Sequence, residues 1–328
     1  MDIFLQQLVN GLTLGSVYAV VARGYTMVYG IIQLINFAHG EVVMIGAMVA
    51  FSVINALAGG ALPPLAVVLA GTACAIPVCM GVGYAMERLA YRPLRRAPRL
   101  APLITAIGVS IILQHLALLV WSRNVLAFPQ IIATRIYHFA GATITNVQLA
   151  ILVLCVVLMA ALAWLVYRTR LGTAMRATAQ NAQVARLMGI DVDRVIAATF
   201  VIGAALAAVA GVMVGTYYGV AQYTMGSVLG LKAFSAAVLG GIGNIPGAML
   251  GGVLLGMVEA LGAGYIGDLT DLCHYGLLAP LVGERCAGGG HFVLFGSNYQ
   301  DVFAFAVLIL VLVARPSGLL GERVGDRA

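Results

Sequence analysis

Charge is scarce in this sequence. Aspartate, glutamate, lysine and arginine together make up 9% of the 328 residues and 62% are hydrophobic, whereas soluble domains carry roughly a quarter of their residues charged. That balance excludes an ordinary soluble domain. With no soluble unit on which to gather its basic residues, the chain is not a nucleic-acid binder either. Lysine is nearly absent: Lys232 is the only one, and it stands outside any G-x-x-x-x-G-K-[ST] pattern. The chain therefore has no phosphate-gripping loop of its own, and any ATP-driven work requires another chain. The run GGIGNIPG imitates a dinucleotide fingerprint, but counting from Gly241 the third glycine falls on Pro246, and no soluble strand–helix unit adjoins it.

Cysteine and histidine are few and dispersed. Cys74, Cys79 and Cys155 lie in apolar runs and read as packing residues, while Cys273 and Cys286 share a polar loop. His39, His115, His138, His274 and His291 fall at no recognisable catalytic spacing. His39 and Glu41 are two apart and share no helix face, so no metal site is assigned to them. A basic leader and a small-residue cleavage site are also missing, so residues 3–21 read as a retained first span.

What the chain has instead is apolar runs of membrane length, repeated throughout. They predict an all-α polytopic membrane protein, one transmembrane domain over residues 1–328, with about eight transmembrane helices, nine being possible, some short or broken. The spans fall at 3–29, 31–51, 63–86, 101–121, 147–167, 195–215 and 302–314, with two short ones or half-helices in 226–262. Arg23 interrupts the first span near its end, where snorkelling to an interface is favoured over an inward role. Asn36, His39 and Glu41 are too polar to face lipid, and serve either as caps and interhelical hydrogen bonds or as part of a gate or substrate path. Gly11 and Gly15, Gly211 and Gly215, the trio Gly243, Gly247 and Gly251, and the pair Gly252 and Gly256 are all spaced by four, which predicts close helix packing. Lys232 and Glu259 are candidates for an internal charge pair or for pore-lining groups, and Asn244 sits in the break between the two short spans.

The loops carry most of the charge. Arginines concentrate at 88–99 and 168–194, which the positive-inside rule places in the cytoplasm; residues 122–146 then lie on the opposite side. The 168–194 loop holds five arginines and a short helix over 174–188, punctuated by Gly172 and Gly189. Ala177, Val184, Ala185 and Met188 form a narrow apolar stripe on it, leaving Arg176 and Arg186 for solvent or a partner. A protein-docking element fits this pattern, and an amphipathic helix resting on lipid is its rival. Residues 268–301 form a polar excursion on the outer, oxidising side. There Cys273 and Cys286 can close a disulfide, or, with His274 and His291, a zinc site of unusual spacing.

Five stretches carry a family resemblance: GLTLGSVYAVVARGYTMVYG from Gly11, INFAHGE from Ile35, RLGTAMRATAQNAQVARLMGI from Arg170, AVLGGIGNIPGA from Ala237 and RPSGLLG from Arg315. In this order, through nearly the whole chain, they resemble the LivH-type permeases of bacterial branched-chain amino acid ABC transporters. The resemblance implies a multi-pass protein of the bacterial inner membrane that performs no covalent chemistry and binds no cofactor itself. Its implied partners are two cytoplasmic ATPase subunits carrying ATP and Mg, a second homologous permease, and a periplasmic binding protein delivering branched-chain or related amino acids. By the same likeness 168–194 is the coupling loop, seated on the ATPase: Gly172, Ala177, Ala185 and Gly189 shape it, and Arg170, Arg176 and Arg186 provide polar contacts. The chain departs from the family's pattern at 272–297, which intervene before the last span. Two other classes fit parts of the sequence. An ion-coupled secondary transporter or channel for small polar solutes uses broken helices and buried charges equally well, and a membrane-embedded enzyme needs a convergent polar cluster that the scattered histidines do not supply.

Overall fold

Long apolar helices dominate the chain because a bilayer offers backbone groups no water to bond, so each crossing segment must satisfy its own. The computed structural model describes residues 2–60, 62–95, 97–98, 100–139, 141–266, 300–315 and 317–321. In chain order the helices are α1 (Asp2–Ile32), α2 (His39–Leu57), α3 (Pro64–Ala85), α4 (Leu100–Trp121), α5 (Asn146–Arg168), α6 (Arg170–Gln180), α7 (Ala182–Leu187), α8 (Val192–Tyr218), α9 (Met225–Gly240), α10 (Ile245–Leu261) and α11 (Gln300–Ala314). Met86–Tyr91 and Gly262–Ile266 prolong α3 and α10 as π-helical turns. Among the described residues seven helices are long and apolar enough to cross a membrane, and two shorter apolar ones accompany them, α9 and Asp301–Ala314 within α11. The chain is an all-α polytopic membrane protein.

Small residues decide which helices sit together. α1 packs most extensively on α10, while α2, α3 and α8 form a second mutually packed group. The α1–α10 seam is a mesh of glycines. A Cβ on Gly15 would lie 2.7 Å from the Val253 Cα and 2.8 Å from its carbonyl oxygen, and one on Gly256 would strike the Gly15 backbone. Such contact needs hydrogen in place of a side chain on both helices, which is why the four-residue spacing appears twice. Gly256→Val is therefore expected to cost about 1–3 kcal/mol by overpacking, read as a lowered unfolding temperature in detergent; an unchanged midpoint would show that the helices part more easily than this geometry implies. On the other side of the bundle, Gly211 of α8 abuts the Val43 carbonyl and the Ala47 backbone of α2. Helices α4 and α5 turn Leu116, Leu119, Val156 and Trp164 outward, as lipid-facing helices do.

The two ends of the bundle differ in character. One carries two short antiparallel pairings: β1 (Leu126–Ala127) with β4 (Val220–Ala221), and β2 (Ile136–Phe139) with β3 (Ala142–Thr145). The second leads into a Thr145–Gln148 capping box that starts α5. The other end gathers Arg92, Arg95, Arg168, Arg170, Arg176 and Arg186 with the 241–244 turn. There the 317–321 stretch returns to close α9: the Leu319 and Leu320 amides donate to the carbonyls of Leu239 and Gly240 at 2.9 and 3.0 Å.

Several expected boundaries move. The second span begins at His39 rather than residue 31, because α1 continues to Ile32 and the chain then reverses through Gln33 at a φ of 55°. Residues 174–188 are not one helix: Asn181, extended at φ −158°, ends α6 and caps α7. The snorkelling reading of Arg23 is overturned. It lies well inside α1 and is 2% exposed, with one terminal nitrogen against the Met249 sulfur and its other two nitrogens lacking a hydrogen-bond partner among the described residues. Cys79 and Cys155 are buried as packing residues, but Cys74 is exposed. The short crossings predicted in 226–262 are α9 and α10, divided at Gly241, whose φ of 105° suits glycine.

Candidate functional site

A lysine buried in a membrane bundle needs partners, and Lys232 has three among the described residues. Its Nζ lies 2.6 Å from Glu259 Oε1 of α10, 2.6 Å from Asp301 Oδ1 of α11, and 3.2 Å from the Tyr18 hydroxyl of α1, to which it donates. Tyr18 in turn donates to Glu259 Oε2 at 2.9 Å. One ammonium thus spends its three protons on three helices, and four elements are cross-linked through it. Glu259 is 1% exposed and Tyr18 fully buried, so these are low-dielectric contacts whose geometry must offset desolvation. Beside the cluster opens a cavity of about 180 Å³ lined by Tyr18, Val214, Tyr218, Gln222, Val228 and Lys232, among others. The pair Lys232 and Glu259 was visible in the sequence as two isolated charges in apolar runs. Tyr18 was not, because a tyrosine in a small-residue helix carries no mark of its partner.

Asn36, His39 and Glu41 diverge rather than converge. Asn36, in the turn between α1 and α2, accepts from the Tyr91 hydroxyl at 2.7 Å. His39, 3% exposed, meets the Tyr25 ring edge-on at 4.9 Å between centroids and fills the space that Gly24 leaves. Glu41 accepts from Ser110 at 3.0 Å and Gln114 at 2.8 Å on α4, while its other oxygen faces Gly226 without a hydrogen-bond partner among the described residues. Their geometry is that of interhelical ties. Asn244 lies elsewhere, at the N-cap of α10, where it accepts from the Gly247 amide at 3.1 Å and donates to the Leu320 carbonyl at 2.8 Å.

At the arginine-rich end the α6–α7 elbow is built by its caps. Thr169 accepts from the Gly172 amide at 3.1 Å, and Asn181 from the amides of Gln183 and Val184 at 3.0 and 3.1 Å. Gly172 presses on the carbonyls that end α5, at Leu165 and Val166, where a Cβ has no room, and Gly189 closes α7 at a φ of 84°. Arg176 donates to the Val166 carbonyl and covers the Tyr167 ring at 5.6 Å; it also lines, with Asn244, a cavity of about 680 Å³. Arg170 and Arg186 are exposed, Ala185 is buried, and Ala177 packs on the core. The predicted stripe splits accordingly: α7 tucks Ala185 inward and presents Val184, Leu187 and Met188 outward, the last two 86% and 78% exposed. Leu187 escaped the sequence reading because it lies between the positions assigned to the stripe.

Asp193, at the start of α8, ties the elbow to the bundle. It accepts from Arg186 at 3.4 Å, Arg92 at 3.0 Å and Arg95 at 2.5 Å, and Arg95 also pairs with buried Glu87. These ion pairs link α7 to the start of α8 and to the segment that follows α3. Cys273, Cys286, His274 and His291 lie outside the described residues.

Apolar helices of membrane length that enclose a shared ionic cluster next to a cavity define a polytopic membrane protein. The family described as the permease component of the branched-chain amino acid transport system matches residues 7–312, and the chain belongs to it. It is 47% identical over 324 residues to the high-affinity branched-chain amino acid transport system permease protein BraD of Pseudomonas aeruginosa, covering 97% of this chain and 96% of that one. Over 325 residues it is 45% identical to LivH of Escherichia coli K12, with the same coverage. A probable branched-chain amino acid transport permease of Methanocaldococcus jannaschii shares 25% over 313 residues, 92% of this chain and 87% of that one. No solved structure matches. The chain is thus a multi-pass transport subunit and not an enzyme.

Proposed function

We propose that this chain is the permease subunit of an ATP-driven importer that passes branched-chain or related amino acids from a periplasmic binding protein to the cytoplasm. The observation that carries the reading is near-full-length identity, at 45–47%, to two bacterial permeases of high-affinity branched-chain amino acid systems. On this reading the arginine-rich end faces the cytoplasm, and the α6–α7 elbow within 168–194 docks on an ATPase. Leu187 and Met188 supply apolar anchors there, Arg170 and Arg186 rim charges, and Gly172, Ala177, Ala185 and Gly189 the shape. Arg176 braces the elbow against α5. The opposite end meets the binding protein. Two ATPase subunits supply ATP hydrolysis with Mg, since the sole lysine of this chain is engaged in the ionic cluster, and a second homologous permease completes the pathway.

Gentle purification of the tagged chain from its native membrane, with mass spectrometry of what co-purifies, tests this. ATPase and second-permease subunits in stoichiometric amount, with ATP-dependent leucine uptake after reconstitution, are expected. A stable complex lacking any ATPase points instead to an ion-coupled carrier or channel.

A further inference from the structure

Among the described residues, the Lys232 cluster holds one carboxylate more than its charge requires. Lys232 shares a single positive charge between Glu259 and Asp301, each at 2.6 Å. The two acids are not equivalent. Glu259 is almost fully buried and also accepts the Tyr18 hydroxyl, whereas the Asp301 side chain is 43% exposed in the first turn of α11. Releasing Asp301 costs little desolvation, while releasing Glu259 strands a buried charge. The adjoining cavity of about 180 Å³ is lined by the polar residues Lys232, Tyr18, Tyr218 and Gln222 together with Val214, Met225, Val228 and Leu229; Asp301 is not among its lining residues and adjoins it through Lys232.

Resting on the amino-acid import reading above, we propose that this cavity is a transient binding site for a free aliphatic α-amino acid in transit. The ligand carboxylate takes the place of Asp301 on Lys232, the ligand ammonium pairs with the released Asp301, and the branched side chain lies against Val214, Val228 and Leu229. A zwitterion makes this exchange without changing the total charge: one ion pair opens and two form. An acid alone adds a second uncompensated negative charge to the cluster, and an amine alone draws Asp301 from Lys232 without replacing it there. A few polar groups among apolar side chains are the usual composition of a small-molecule site.

The test uses the intact complex with its co-purifying subunits, washed free of binding protein, and equilibrium retention of radiolabelled leucine. Leucine is expected to bind, with isoamylamine and 4-methylpentanoate each competing at least about tenfold more weakly. Asp301→Asn is expected to weaken leucine binding at least about tenfold while partner subunits co-purify at wild-type yield. As a second variant, Val228→Trp narrows the cavity and is expected to weaken leucine more than alanine. The proposal is overturned if the wild-type complex retains no leucine, if either half-molecule competes as well as leucine, or if both variants bind leucine as the wild type does. In each of those cases, ATP-dependent leucine uptake by vesicles containing the wild-type complex and binding protein leaves the import reading standing; no uptake removes both.

Discussion

Replacing Lys232 by methionine is expected to cost about 3–5 kcal/mol of stability. The substitution keeps the length and the apolar stem but removes the ammonium. Among the described residues Glu259, 1% exposed, is then left with the Tyr18 hydroxyl at 2.9 Å to compensate its charge. A buried ion that loses its counter-ion is far more costly than an ion pair replaced whole, because the desolvation has already occurred and the attraction has gone. The triple variant Lys232→Met, Glu259→Gln, Asp301→Asn should therefore recover most of the lost stability. Both are measured as the temperature at which the detergent-solubilised protein leaves its monodisperse elution peak. If the triple variant unfolds as early as the single one, the cost comes from lost packing and the electrostatic account fails.

The second large effect is expected on α7. Leu187→Glu combined with Met188→Glu should weaken ATPase association by at least about thirtyfold, the equivalent of a central apolar anchor lost from an interface. These side chains touch little of their own chain, being 86% and 78% exposed, so the variant should insert, purify and unfold like the wild type. Quantitative co-purification of the ATPase, normalised to permease, gives the measure. Undiminished recovery would mean that the elbow rests on lipid, the alternative its amphipathic sequence allows.

How much of this was written in the sequence depends on the range of the interaction concerned. The spans, the split of the 226–262 region and the glycine seams were legible because they follow from local periodicity and from residues that can serve few other purposes. The Lys232–Glu259 pair could be suspected, since each charge is costly in an apolar run, but Tyr18 and Asp301 complete it from 214 and 69 positions away. Nothing local marks such a contact. Arg23 failed in the opposite direction: counted from an underestimated end of α1 it lay near an interface, whereas the helix continues to Ile32 and holds it inside. The 174–188 helix was overextended because good helix formers flank Asn181 on both sides, and the cap that divides them is a backbone event. Asn36, His39 and Glu41 were recognised as inward-facing, but their divergence toward Tyr91, Tyr25 and α4 depends on how helices are arranged around them.

The return of the 317–321 stretch bears on the order in which the protein matures. The last carbonyls of α9 acquire their donors from Leu319 and Leu320, and the Asn244 side chain finds its acceptor 76 residues downstream. Until that stretch has been synthesised and has crossed back, the α9–α10 hairpin ends in open hydrogen-bonding groups, and each costs free energy if it is buried unpaired. The stretch acts as a latch thrown late in biogenesis. A chain lacking it leaves the end of α9 without these donors, at the arginine-rich end of the bundle.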